Sequence, residues 1–165
     1  MLNPEETFNS LVRQYSQPLY WHVRSIVGDH DDADDVVQET FIKVWKGLPS
    51  FRGDSDPFTW LWRIATNTAL THVRKQKIRS IFGRETPEME MVPGDCGFNP
   101  DEASRKLARA VEKLPPKQRS VFSMRYFQEL SYAQMSEITG TSEGALKASY
   151  HIAEQKVRES IQEAD

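Results

Sequence analysis

Apolar residues recur at steps of three and four along much of the chain, and no stretch alternates as a half-buried strand does. Pro18 lies inside the first periodic segment, where a proline predicts a kink or a break. Asp31 and Asp32 are the expected N-cap of the second segment, and Pro57 is the expected first residue of the third. The first half therefore predicts three helices, over about residues 5–27, 31–48 and 57–77.

The helical periodicity stops over residues 80–100, where Gly, Pro and acidic residues dominate. This composition predicts a flexible acidic linker. Further helices are predicted beyond it, with Pro115 and Pro116 opening one and Gly140 ending another. The expected fold is all-α, with two small helical domains joined by the linker. The expected boundaries are 1–79 for the first domain, 80–100 for the linker and 101–165 for the second domain.

The second domain contains the spacing of a helix-turn-helix. Ser131 with Gln134 makes a capping box, Gly140 supplies the turn, and Leu146 anchors the second helix inward. In such motifs the start of the second helix enters the DNA major groove. The candidate reading residues face away from the buried stripe and are Ser142, Glu143, Lys147 and His151. An ordinary helical hairpin with a polar outer face explains the same pattern equally well.

The net charge of −3 hides a segregation of charge along the chain. Residues 48–84 carry 7 basic and 2 acidic side chains, whereas residues 1–47 carry 4 and 8. A basic block of this kind attracts a polyanion, although a solvated basic surface is an alternative. The opening MLNPEETF does not resemble a signal peptide, and the short apolar runs predict no membrane span. The single cysteine, Cys96, fits a cytoplasmic location and is too little for a cysteine-based metal site.

Aromatic and basic residues are interleaved in and before the third helix. Aromatic rings and cations together hold single-stranded nucleic acid, and an amide such as that of Asn67 can hydrogen-bond an exposed base edge. The alternative makes Trp60 and Trp62 core residues, and Trp62 is expected to be buried in either case. The candidate set is Phe51, Arg52, Trp60, Arg63, Asn67, Arg74, Lys75 and Lys77.

The second helix is strongly acidic at its start. Asp35 and Glu39 share one helical face, a spacing that some metal-dependent phosphohydrolases use for Mg²⁺. No second carboxylate helix of matching spacing and no glycine-rich phosphate loop accompanies them. Helix capping together with a protein-docking surface is the favoured explanation, so we expect no metal, no cofactor and no catalytic residues.

Three strings of the sequence together resemble the extracytoplasmic-function (ECF) group of bacterial sigma factors. They are DDADDVVQETFIKVW (31–45), FRGDS (51–55) with FTWLWRIATNTA (58–69), and LPPKQR (114–119) with the helix-turn-helix. The strings occur in the family's order and cover nearly the whole chain except the linker. The resemblance implies a factor that directs core RNA polymerase to promoters and opens them.

The resemblance also implies a role for each candidate residue. Asp35, Gln38, Glu39 and Lys43 would dock on the polymerase clamp. Ser50, Phe51 and Asn67 would line the pocket for a base flipped from the non-template strand. The neighbouring Arg52, Trp60, Arg63, Arg74 and Lys75 would support melted or adjacent duplex DNA, and Ser142, Glu143, Lys147 and His151 would read the upstream promoter element. An anti-sigma factor is the expected protein partner.

One departure from the family concerns the recognition helix. Lys147 is its only lysine or arginine before Lys156, whereas many members place arginines around positions 150–154. We therefore expect weak binding of the upstream element without polymerase. A stand-alone helix-turn-helix regulator and a metal-dependent nucleotide hydrolase are the two rival hypotheses.

Overall fold

The computed structural model describes residues 3–51, 53, 56–82 and 101–163. Every regular element in these ranges is helical, which confirms the all-α fold class. None of the helices in these ranges has both the length and the apolar composition of a membrane span. The first unit contains α1 (Pro4–Val27), α2 (His30–Gly47), a short 3-10 turn (Leu48–Ser50) and α3 (Pro57–Ile81). The second contains α4 (Glu102–Glu112), α5 (Pro116–Phe122), a π-helical segment (Ser123–Phe127), α6 (Tyr132–Thr139) and α7 (Glu143–Glu163).

Local capping signals fix the ends of α1. Asn3 and Glu6 form a capping box, in which the Glu6 amide donates to the Asn3 side chain at 2.8 Å. Gly28 ends the helix with a φ of 82°, a left-handed conformation that glycine adopts without a steric penalty. Between these ends the helix runs through Pro18 without a break.

Two predicted helix boundaries are corrected. The N-cap of α2 is Asp29, so Asp31 and Asp32 lie in the first turn, where the helix dipole favours acidic side chains. Pro57 is the first residue of α3, as predicted, but this helix continues beyond residue 77 to Ile81. Most of the predicted linker, residues 83–100 including Cys96, lies outside the described residues.

The main hydrophobic core is shared by both units. Trp62 is its largest fully buried side chain and lies against Phe58, Tyr15 and His22, with ring centroids 4.1, 6.0 and 5.4 Å away. Six apolar residues of the second unit join this core: Val121, Met124, Leu130, Met135, Ile138 and Leu146. The two units therefore pack directly against each other, because α6 lies along α3 and α5 along α1.

A smaller core holds α4, α5 and α7 together. Phe122 is 1 % exposed and stacks on Tyr150 at 5.7 Å. Ala153 and Val157 of α7 are buried beside it, while Tyr150 and Ile161 of the same helix are only half-buried. The second unit thus has its own core and also contributes to the shared one.

Candidate nucleic-acid interface

The outer face of α2 presents the four residues expected to dock on polymerase. Asp35, Gln38, Glu39 and Lys43 are all exposed. The Lys43 ammonium lies 3.6 Å from the Glu39 carboxylate and donates to the Thr68 hydroxyl of α3 at 3.0 Å. Lys43 is therefore held between the two helices, while the carboxylates remain open to a partner.

Two exposed apolar residues extend this face, and the sequence alone did not identify them as surface residues. Ile42 is 54 % exposed, and Trp45 is 47 % exposed with its ring edge against Phe8 at 5.3 Å. Val36 and Val44 fill the buried side of α2, whereas Trp45 of the same helix lies at the surface. An apolar excess wider than one helical stripe was the signal that could have identified them.

A stacked aromatic pair lies where α2 leads into α3. The rings of Phe51 and Trp60 are 4.5 Å apart and inclined by 20°. Gly47 lies on the Trp60 indole so closely that a Cβ there would be 3.1 Å from it. Ser50 is exposed at the end of the 3-10 turn, and Arg52 lies outside the described residues. The half-buried Trp60 is therefore fixed in orientation by both neighbours.

The polar residues of α3 continue along the helix from this pair. The Arg63 guanidinium donates twice to the carbonyl of Glu137 in α6, at 3.0 and 2.8 Å. Asn67 and Arg74 line a cavity of about 500 Å³ whose opposite wall comes from the second unit. Lys75 is exposed. The structure thus places Arg63 and Asn67 at the contact between the two units.

Four polar side chains form a hydrogen-bonded chain next to the aromatic residues of the first unit. The Trp62 indole N–H donates to the Gln128 Oε1 at 2.9 Å, and the Gln128 amide donates to the His22 Nδ1 at 2.8 Å. The other ring nitrogen of His22 then carries the proton and donates to the Thr66 hydroxyl at 2.8 Å. Burial lowers the pKa of His22 to about 3, so the ring is neutral. Sequence reasoning gave no role to His22 or Gln128, which lie 106 residues apart.

The helix-turn-helix has the geometry predicted from its caps. Ser131 and Gln134 form the capping box, and Gly140 has a φ of 74°. The Ser142 hydroxyl accepts from the Ala145 amide at 3.2 Å and so caps α7. Leu146 is buried, whereas Ser142, Glu143, Lys147 and His151 are exposed.

The four exposed residues share the outer face of the start of α7. The Lys147 ammonium lies 5.7 Å from the centroid of the Tyr132 ring, where the ring face attracts a cation. The Arg125 guanidinium also lies over the Tyr132 ring, 4.7 Å from its centroid. Lys147 is therefore positioned beside α6 with its ammonium still exposed to solvent.

Comparison with family models identifies both units. Sigma-70 region 2 matches residues 11–78, and Sigma-70 region 4 matches residues 104–157. The chain is 31 % identical to the ECF RNA polymerase sigma-E factor of Escherichia coli, over 96 % of this chain and 88 % of that protein. It is 28 % identical to the RNA polymerase sigma-H factor of Pseudomonas aeruginosa, with the same coverage of both.

Two solved structures have the same fold. One is the sigma factor RpoE of Bartonella quintana in complex with the anti-sigma factor NepR, with a TM-score of 0.79 and 23 % identity over 94 % of this chain and 97 % of that one. The other is CnrH in complex with the cytosolic domain of CnrY, with a TM-score of 0.69 and 24 % identity over 98 % and 90 %. With both regions matched in series over most of its length, the chain belongs to the ECF family of sigma factors, which give RNA polymerase its promoter-specific initiation of transcription.

Proposed function

We propose that the two units divide promoter recognition between them. Residues 1–79 form the region 2 domain, which docks on core polymerase and opens the promoter. Residues 101–165 form the region 4 domain, which reads the upstream element, and residues 80–100 connect the two. The matched ranges, 11–78 and 104–157, lie inside these boundaries.

In this proposal α2 is the docking helix. Its outer face combines the carboxylates of Asp35 and Glu39 with the amide of Gln38 and the tethered Lys43. The exposed Ile42 and Trp45 lie on the same helix and supply apolar area for the contact. Interfaces of this composition, with an aromatic anchor and a polar surround, are typical of specific protein association.

The stacked rings of Phe51 and Trp60 are the observation that supports a promoter-melting role for the region 2 domain. Stacking platforms next to cations bind single-stranded DNA, and each stacked base contributes about 1–3 kcal/mol. Ser50 and Arg52 flank the platform in the sequence, and Arg63, Asn67, Arg74 and Lys75 follow it along α3. Asn67 would hold the edge of a flipped base, whose capture offsets part of the unstacking cost of a few kcal/mol.

The upstream element would be read by the start of α7. The helix enters the major groove, where Lys147 and His151 reach base edges or phosphates. Ser142 and Glu143 lie at the helix N-terminus, whose free amides favour a phosphate. With a single lysine on this surface, the helix contributes to affinity only together with polymerase.

Transcription in vitro with core polymerase tests the proposal. Addition of the chain should produce a promoter-specific transcript, and Asn67→Ala should reduce open complexes more than closed complexes. Asn9→Ala, at an exposed site on α1, is the matched control and should leave both unchanged. Absence of a transcript from every cognate promoter tested would contradict the proposal.

The same assay separates the two rival functions. A stand-alone regulator would bind promoter duplex equally well without polymerase. A metal-dependent hydrolase would turn over a nucleotide with purified chain alone and lose that turnover in Asp35→Ala. We propose instead an initiation factor with no catalysis and no cofactor of its own, acting in the cytoplasm where the chromosome is transcribed.

An anti-sigma factor is the proposed protein partner. RpoE was solved in complex with the anti-sigma factor NepR, and CnrH in complex with the cytosolic domain of CnrY. Co-purification of the chain from its own cells tests this point. A reproducible partner that suppresses the promoter-specific transcript would support it, and a chain isolated only with polymerase would contradict it.

A further inference from the structure

The cavity of about 500 Å³ between region 2 and region 4 takes its walls from four helices. Region 2 contributes one face of α3, whose lining residues follow helical spacing: Asn67, Leu70, Thr71 and Arg74. Region 4 contributes α5, the end of α6 and one face of α7. Cavities of this volume are typical of small-molecule sites. The packing of the two domains therefore forms a cavity that neither domain encloses by itself.

The charge on the cavity lining is entirely positive. Arg74 of α3 and Lys117 of α5 reach the cavity from opposite domains, and none of the described residues that line it is acidic. Within the described part of the chain, neither cation has an ion pair or a side-chain hydrogen bond. Two like charges that face one cavity repel each other, and an anion between them would offset that repulsion. The lining therefore favours an anionic ligand.

Neutral hydrogen-bonding groups accompany the two cations. Five lining residues carry hydroxyls: Thr71, Ser120, Thr139, Thr141 and Ser149. The hydroxyls of Ser120 and Thr139 already donate to carbonyls of their own helices, at 2.7 and 2.8 Å. The side chains of Thr71, Ser149 and Asn67 have no such partner among the described residues, so each can donate to a ligand. Two cations with neutral donors beside them match a phosphate group, which carries nearly two charges and three strong acceptor oxygens.

Apolar side chains form the remainder of the lining. Val121 of α5 and Leu146 of α7 are buried, and Leu70 of α3 is half-buried. Apolar surface with a few convergent polar groups is the usual composition of a ligand site. This surface can cover the carbon atoms of a ligand, which a bare phosphate ion lacks. The lining therefore fits a phosphate that is attached to a small organic body.

We propose that this cavity binds a small phosphate monoester, with the phosphate between Arg74 and Lys117 and the organic body against the apolar side chains. Mononucleotides and sugar phosphates share this chemistry, and their ring hydroxyls can pair with Thr71 and Ser149. The site goes beyond the proposed function, because it requires neither polymerase nor promoter DNA. Arg74 also belongs to the set proposed for DNA, whereas Lys117 belongs to the ligand site alone. Lys117 is therefore the residue that distinguishes the two proposals.

Isothermal titration calorimetry of the full chain with AMP and with glucose-6-phosphate tests the site. At least one of these esters should bind saturably, with one molecule per chain, and the tighter of the two identifies the source of the phosphate as a nucleotide or a sugar. Adenosine and glucose lack the phosphate and should not bind measurably. Inorganic phosphate lacks the organic body and should bind at least about tenfold more weakly than the tighter ester, because it leaves the apolar lining uncovered.

Substitution of the two cations tests whether the ester binds in this cavity. Lys117→Gln and Arg74→Gln should each weaken its binding about tenfold, because each removes a hydrogen bond to a charged group. Lys113→Gln at the end of α4 and Arg79→Gln on α3, both at exposed positions outside the cavity lining, are the matched controls and should leave the affinity unchanged. Circular dichroism of each variant checks that a loss of binding does not reflect unfolding.

Several results would overturn the proposal. Absence of saturable binding of both esters at millimolar concentration would do so, as would equal affinities of Lys117→Gln and Lys113→Gln. Adenosine that binds as tightly as AMP would exclude a role for the cations, and inorganic phosphate that binds as tightly as the esters would exclude one for the apolar lining. A single-stranded oligonucleotide that binds through Arg74 and Lys117 when neither ester does would assign both cations to DNA.

The calorimetry involves neither polymerase nor a promoter. A chain that binds the ester through Lys117 but supports no promoter-specific transcript would therefore refute the proposed function and leave the ligand site standing. A chain that supports transcription but binds neither ester would refute the ligand site alone.

Discussion

Acidification is expected to destabilise the folded chain through His22. The pKa of this buried ring is lowered from 6.5 to about 3, because burial disfavours the charged imidazolium. The unfolded chain therefore binds a proton at a pH where the folded chain does not. The stability associated with neutral His22 is fully present above pH 6.5 and is lost progressively as the pH falls toward 3.

The magnitude follows from the difference between the two pKa values. At pH 5 nearly every unfolded molecule carries the proton and nearly every folded molecule lacks it. The resulting loss is about 2 kcal/mol relative to pH 7, since each pH unit below the unfolded pKa contributes about 1.4 kcal/mol. The loss of folding free energy affects both domains together, because the Gln128 amide of region 4 donates to the His22 Nδ1.

Urea unfolding at pH 7 and pH 5 measures this effect. His22→Gln retains hydrogen-bonding capacity and removes the titration, so its free energy of unfolding should depend less on pH by about 2 kcal/mol. His151→Gln, at an exposed histidine of α7, is the matched control and should follow the wild type. Carboxylates titrate in the same way in all three proteins and cancel in the comparison. Equal pH dependence of the wild type and His22→Gln would refute the burial argument.

Three further substitutions test the proposed surfaces. Glu39→Lys should weaken binding to core polymerase about tenfold, because it reverses a docking charge. The control Glu159→Lys, on α7, should leave the affinity unchanged. Equal losses of affinity in a binding titration would show that α2 is not part of the interface. Lys147→Ala should abolish discrimination of the upstream element with polymerase binding intact, and an unchanged promoter preference in competition transcription would exclude Lys147 as a reader. Gly47→Val should displace the Trp60 indole and slow open-complex formation, because even a Cβ at Gly47 lies 3.1 Å from the ring; unchanged opening rates would show that the ring orientation is unimportant.

Features encoded by neighbouring residues were predictable from the sequence. Pro57, Gly140 and the Ser131 capping box marked helix ends correctly, because each acts on backbone groups within a few residues. The start of α2 was misplaced because several aspartates follow one another and only one of them can be the N-cap. The exposure of Trp45 could not be predicted, since periodicity identifies an apolar face and does not say whether another helix covers it.

The contacts between the domains could not be predicted in this way. Arg119 and Ser25 are separated by 94 residues, and Trp62 and Gln128 by 66. A glutamine after an aromatic segment, or an arginine at the start of a helix, has no local pattern that identifies a partner in another domain. Only the fold brings the end of α1 to Arg119, and the same packing places α6 over Arg63.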